Sequence, residues 1–126
     1  MRILLAIGLG GFVGSIARYL ITLWVDRLSR TGTFPWGTLG VNVAGSLAIG
    51  LIAGLAQTTQ IFSPTVRLFL LVGCLGGFTT FSTFSYDTLA MLRDGRVVHA
   101  AAYMGIHLVL GLCAVSAGYA ISTYRV

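Results

Sequence analysis

Polar residues along this chain gather in short clusters, and the stretches between the clusters are almost wholly apolar. Four of these stretches reach the roughly 18 or more mainly apolar residues that a bilayer-crossing helix needs. They cover about residues 3–25, 36–56, 66–92 and 97–124. The first is broken only by Arg18, the second and fourth carry no formal charge, and the third holds Asp87 close to its end. The connections DRLSRTGTFP, QTTQIFSP and RDG are short, and Pro35 and Pro64 each stand just ahead of a span, where a missing N–H does no harm. The pattern predicts an all-α integral membrane protein: one transmembrane domain over residues 1–126, four helices, both termini on one side. The first stretch is too long for a cleaved signal peptide and contains Arg18, so it reads as a retained helix.

Composition agrees. The chain is 56% hydrophobic and 9% charged, with mean hydropathy +0.92, against roughly a quarter charged in soluble domains. The net charge of +5 does not point to nucleic acid, because the arginines are scattered singly and form no basic face. Arg2, Arg67 and Arg125 fall on the side of the termini, and Arg27, Arg30, Arg93 and Arg96 on the other. That balance gives almost no positive-inside instruction. Orientation is therefore fixed by something else, or the chain inserts both ways. Cys74 and Cys113 lie deep in spans, where they read as small packing residues rather than a disulfide or metal site. Glycines four apart, Gly10 with Gly14 and Gly50 with Gly54, predict helix backbones in close approach. A bundle of four such helices is too thin for a pore through its own centre, which favours function at an oligomer interface.

Enzyme chemistry finds no footing. The chain has no Glu and no Lys, and its two histidines, His99 and His107, lie eight apart with no partner at metal-ligand spacing. A proton-coupled exporter of organic cations, small and of dual topology, is the alternative reading. It requires a carboxylate near mid-membrane, and the one candidate, Asp87, sits about a turn from the end of its span.

The segment GGFTTFSTFS, residues 76–85, puts two glycines, five hydroxyls and three phenylalanines inside an apolar span. Adjacent glycines followed by Thr79 and Thr80 make a poor helix interior. A break there would free carbonyls that only protein or an ion can satisfy in lipid; a packed helix with a tolerated kink is the other possibility. Phe81 and Phe84 share a helix face next to Ser82 and Thr83. The ring edges carry positive charge and can face an anion, or the rings simply pack. Thr38 and Asn42 are four apart in the second span, as are Tyr103 and His107 in the fourth, and Arg18 lies within the first. Asn42 can serve as interhelical glue or line a path; Arg18 can snorkel or line an aqueous vestibule. Together these residues describe a track of donors without a buried fixed charge, suited to an anion that must shed water without sticking.

GGFTTFSTFS resembles the third-helix signature of the Fluc (CrcB) fluoride channels. The similarity extends to GGFVGSIARY, PWGTLGVNVAGS, the RDG loop and AAYMGIH, nearly the whole chain. It implies a fluoride-selective passive channel in the bacterial inner membrane that exports cytoplasmic fluoride and confers resistance to it. It implies an antiparallel, dual-topology homodimer with two pores and a third helix broken near mid-membrane. A structural sodium ion would be held on the dimer axis by backbone carbonyls of Gly76 and Thr79. The fluoride pathway would comprise Asn42, Phe81, Ser82, Thr83, Phe84, Tyr103 and His107, with Thr38 beside them and Arg18 in a vestibule. His107 stands where some members have Ser, and Gly111 where the track would continue with a hydroxyl. Asp87 occupies a position that is often Glu.

Overall fold

The computed structural model describes residues 1–29, 34–59 and 61–124. Arg30 and Arg125, two of the arginines that enter the charge balance, lie outside the described residues. Lipid offers no hydrogen bonds, so a spanning chain satisfies its backbone internally. The described residues accordingly form four helices long and apolar enough to cross a membrane: helix 1 (Arg2–Ser29), helix 2 (Trp36–Thr58), helix 3 (Pro64–Arg93) and helix 4 (Val97–Tyr124). Helix 3 starts with Pro64 in its first turn and Ser63 as cap, the Ser63 hydroxyl accepting from the Val66 amide at 3.3 Å. It ends in a tight turn at Gly95, whose φ of 73° is open to glycine at no steric cost.

Consecutive helices cross in opposite directions, so helices 1 and 3 run parallel, as do helices 2 and 4. Each parallel pair meets at a glycine seam. Gly10 and Gly14 press against the backbone of Gly73 and Cys74; Gly50 and Gly54 press against Val115 and Ser122, and Gly118 returns the contact onto Leu47. The glycines singled out by their spacing are thus all buried at seams. Residues Phe69–Leu75 of helix 3 wind as a π-helix along helix 1. Cys74 is half-buried beside Gly14, whereas Cys113 is exposed on the protomer's outer face.

Helix 3 leaves helical angles at Thr79 (φ −84°, ψ 157°) and Thr80 (φ −150°, ψ 110°), between Gly76–Phe78 and Phe81–Arg93. The sequence placed the weak point at Gly76 and Gly77, but these stay helical, Gly76 at φ −64° and ψ −36°. Two causes explain the offset. Gly77 is needed for close approach, since a side chain there would meet the Gly11 carbonyl at 2.6 Å. The β-branched threonines tolerate extended angles, and at Thr80 a side chain from helix 2 receives the backbone that helix 3 gives up.

Candidate functional site

That side chain is Asn42. Its Oδ1 accepts from the Thr80 amide at 2.8 Å and its Nδ2 donates to the Thr80 carbonyl at 3.2 Å. The amide therefore closes a two-point clasp on a backbone that would otherwise be unsatisfied at membrane depth, where each orphaned group costs about 1–3 kcal/mol. Thr80 then caps the second arm of helix 3: its Oγ1 accepts from the Thr83 amide at 3.1 Å and donates to Thr83 Oγ1 at 2.9 Å. Two consequences follow for the carbonyls before the arm. The Thr80 amide, which would continue the helical ladder onto the Gly76 carbonyl, is taken by Asn42. The Thr83 amide, which would reach the Thr79 carbonyl, is taken by Thr80.

Cavities flank the clasp. One, of about 400 Å³, is lined by Asn42, Ser46, Thr79, Thr80, Phe81, Phe84 and His107 among others. A second, of about 250 Å³, is lined by Ser15, Arg18, Tyr19, Thr22, Thr38, Thr80 and Thr83. Thr80 borders both. The residues picked from sequence are thus divided: Asn42, Phe81, Phe84 and His107 share the first cavity with Thr79, whereas Thr38, Thr83 and Arg18 share the second. Tyr103 and Ser82 line neither. Tyr103 is wholly buried and donates to Asp87 Oδ2 at 3.2 Å. Ser82 lies exposed, 3.3 Å from Thr80 Oγ1.

An aromatic stack joins helices 3 and 4. The Phe84 ring centroid lies 5.6 Å from that of Phe81, 5.4 Å from that of Tyr103 and 4.6 Å from that of His107. The two phenylalanines differ in setting. Phe84 is half-buried in the stack, and Phe81 is 79% exposed. Gly76 is exposed too, so this side of the site lies on the protomer's outer face. His107 Nδ1 donates to the Tyr103 carbonyl at 3.1 Å, since a carbonyl can only accept. Arg18 Nε and His107 Nε2 are buried without a hydrogen-bond partner.

Away from these cavities, Asp26, Asp87 and Asp94, the three carboxylates of the chain, line a further cavity of about 400 Å³ together with Arg96. Asp26 also accepts from the Gly37 amide at 2.8 Å, tying the end of helix 1 to the start of helix 2.

Two residues of the site escaped the sequence reading. Thr80 was legible as the N-cap of TFST, a hydroxyl three residues ahead of another. Ser46 was legible as the residue one turn beyond Asn42 on the same face; its hydroxyl donates to the Asn42 carbonyl at 2.8 Å. A side chain at Gly111 would meet Ser46 Oγ at 3.8 Å, so helix 2 places a hydroxyl where helix 4 lacks one.

Residues 5–119 match the family described as "CrcB-like protein, Camphor Resistance (CrcB)". The chain is 46% identical over 122 residues to "Fluoride-specific ion channel FluC" of Rhizobium meliloti (strain 1021), covering 96% of each chain. It is 46% identical over 115 residues to the protein of that name in Chlorobium chlorochromatii (strain CaD3), covering 91% of this chain and 88% of the relative. It is 48% identical over 115 residues to "Fluoride-specific ion channel FluC 1" of Nitrobacter hamburgensis, covering 91% of this chain and 90% of the relative.

Proposed function

We infer the function from one premise: this chain belongs to the CrcB family. It is a multi-pass membrane protein and a fluoride-specific ion channel, not an enzyme. The observation that carries this reading is near-full-length identity to relatives named for fluoride conduction. The site supports it chemically. Its cavities present amide, hydroxyl and ring-edge groups and one arginine, and the three carboxylates are gathered in a separate cavity. Donors without a fixed negative charge suit a small anion that must enter and leave. A passive path also explains how fluoride leaves a cell. HF crosses the membrane neutral, ionises in near-neutral cytoplasm and is trapped until the anion has a way out.

We propose further that the working unit is an antiparallel, dual-topology homodimer with two pores, its third helix broken near mid-membrane. Support comes from the arginine balance and from the position of Gly76, Phe81 and Ser82 on the protomer's outer face, where a second copy would close the path. Fluoride would pass Asn42, Phe81 and Phe84, with Ser82, Thr83, Tyr103, His107 and Thr38 along the way and Arg18 in a vestibule. A structural sodium ion fits the donor set: the amides that would bond the carbonyls of Gly76 and Thr79 in a continuous helix go elsewhere. Neutral oxygens with no carboxylate suit a monovalent cation better than calcium. Bound there, the ion would supply a fixed positive charge near the anion path.

Ion efflux from liposomes carrying the purified protein, read with fluoride and chloride electrodes, tests the function. Rapid fluoride loss without chloride loss is expected. Chloride release at a similar rate, or pH-driven uptake of organic cations, would overturn it.

A further inference from the structure

His107 combines features that ordinary packing does not require. Its ring borders the cavity shared by Asn42, Thr80 and Phe84. Nδ1 is committed as a donor to the Tyr103 carbonyl. A neutral imidazole carries one N–H, so Nε2 then holds a lone pair, and that atom is buried with no partner. The Thr38 carbonyl faces the ring without completing a bond. The neutral ring therefore buries an acceptor beside a cavity where every useful group should donate. Taking up a proton changes this, because imidazolium donates from both nitrogens.

We propose that His107 is a proton-linked fluoride site, where Nε2 binds a proton as the anion occupies the adjoining cavity. The proposal rests on the fluoride reading above. The proton comes from a hydronium ion: its O–H bond breaks to leave water, an N–H bond forms at Nε2, and that N–H donates a hydrogen bond to fluoride. Binding of each ion then favours the other by linkage. The titratable or charged groups around the ring are few. Tyr103 lies on its own helix and Asp87 on helix 3, reaching the ring through Tyr103. Arg18 on helix 1 lines the other cavity, and helix 2 contributes only neutral Thr38, Asn42 and Ser46.

The test is electrical recording of fluoride current in planar bilayers, since neutral HF carries no current. In wild type the half-saturating fluoride concentration should fall at least about threefold from about pH 8 to about pH 5.5, across the range where histidine titrates. His107→Gln should abolish this dependence, while His99→Gln, an exposed histidine at the start of helix 4, and Asp87→Asn should keep it. A second measurement uses wild type alone: fluoride, and not chloride, should move the nitrogen NMR signals of His107 towards imidazolium positions at neutral pH. A fluoride current that is flat with pH, a dependence that survives His107→Gln or vanishes in Asp87→Asn, or unchanged nitrogen signals would overturn the proposal and leave the channel reading standing. Absence of fluoride current at every pH would remove both.

Discussion

Helices 2 and 4 run side by side for most of their length, yet the two ends of the pair are built to opposite plans. Towards their C-termini, Gly50 and Gly118 bring backbone onto backbone, where an added side chain would strike the carbonyls of Val115 and Leu47, and Gly54 makes room for the Ser122 hydroxyl. Towards their N-termini, Thr38, Asn42 and Ser46 face Tyr103, His107 and Gly111, and the helices are held by side chains around a cavity. Without a hydrophobic force between helices in lipid, close glycine packing supplies adhesion. Concentrating it at one end lets the other end stay open and polar. The scaffold and the proposed path thus divide one helix pair between them.

The contrast breaks most sharply at the seam. Gly118→Val should destroy monodisperse protein, because its side chain meets helix 2 backbone that cannot move aside. Overpacking of this kind costs about 1–3 kcal/mol even where side chains can adjust. Gel-filtration profiles of the purified variant measure it. A normal profile would mean the seam is looser than its contacts imply.

The polar end should fail differently, by losing flux while keeping its fold. Asn42→Asp retains an acceptor for the Thr80 amide but loses the donor to the Thr80 carbonyl, setting two acceptors 3.2 Å apart. The new charge also repels fluoride. Flux should fall by more than about tenfold, equivalent to ~1.4 kcal/mol, and most strongly at alkaline pH, where a buried carboxyl is least able to stay protonated. Undiminished alkaline efflux would place Asn42 off the path, as a clasp only.

What the sequence revealed, and what it concealed, follows the same division. Four helices were legible because the spans are long and continuous in apolar residues, and the seams because glycine spacing states them directly. Helix 3 was harder. Adjacent glycines look like the weak point, but Gly77 serves contact with Gly11, and the extended residues are Thr79 and Thr80. Their reason lies 38 positions away in Asn42, a partner no local pattern can announce. The candidate site was legible as residue types and helix faces. Its split into two cavities at Thr80 was not, because that depends on how helices 1 and 4 approach helices 2 and 3 from different sides.

The outer face of helix 3 sharpens the comparison further. A side chain at Gly76 would meet only the Leu71 carbonyl, at 3.9 Å, so the protomer itself has room for it. Gly76→Val should still weaken dimerisation or flux several-fold, whereas Thr79→Ser should do little, because in the proposed axial site the carbonyls and not the side chains would hold the cation. Replacing sodium with a bulky cation during purification should act in the same direction if the ion exchanges. Dimer content by cross-linking, read beside fluoride efflux, decides. A Gly76→Val protein that dimerises and conducts like wild type would remove the axial site.

The two phenylalanines should separate along the same line, with smaller effects. Phe84 packs on Tyr103 and His107, and Phe81 is mostly exposed on the protomer. Both Phe81→Ile and Phe84→Ile should cut fluoride efflux. Phe84→Ile should also lower thermal stability more, since it removes three ring contacts, each worth about 0.5–1.5 kcal/mol, where Phe81→Ile removes one. Equal stability losses would mean that Phe81 is covered as fully as Phe84 in the assembled channel.

The smallest expected effect lies where the two plans meet, at Gly111. Unlike the seam glycines, Gly111 has open space: the nearest atom to an added Cβ would be Ser46 Oγ, at 3.8 Å. Gly111→Ser should therefore leave assembly unchanged, in direct contrast to Gly118→Val on the same helix. Its effect on flux depends on which helix carries the path onward. Ser46 already offers a hydroxyl at this level, but its proton is engaged by the Asn42 carbonyl at 2.8 Å. A second hydroxyl at residue 111 could donate to Ser46 or to a passing anion. A gain of at most about threefold is expected, the scale of one modest hydrogen bond. Ser46→Ala should then lower flux by more than Gly111→Ser raises it. If Ser46→Ala conducts normally and Gly111→Ser does not change flux, the path leaves this helix pair before Ser46, and its polar end stops at Asn42 and His107.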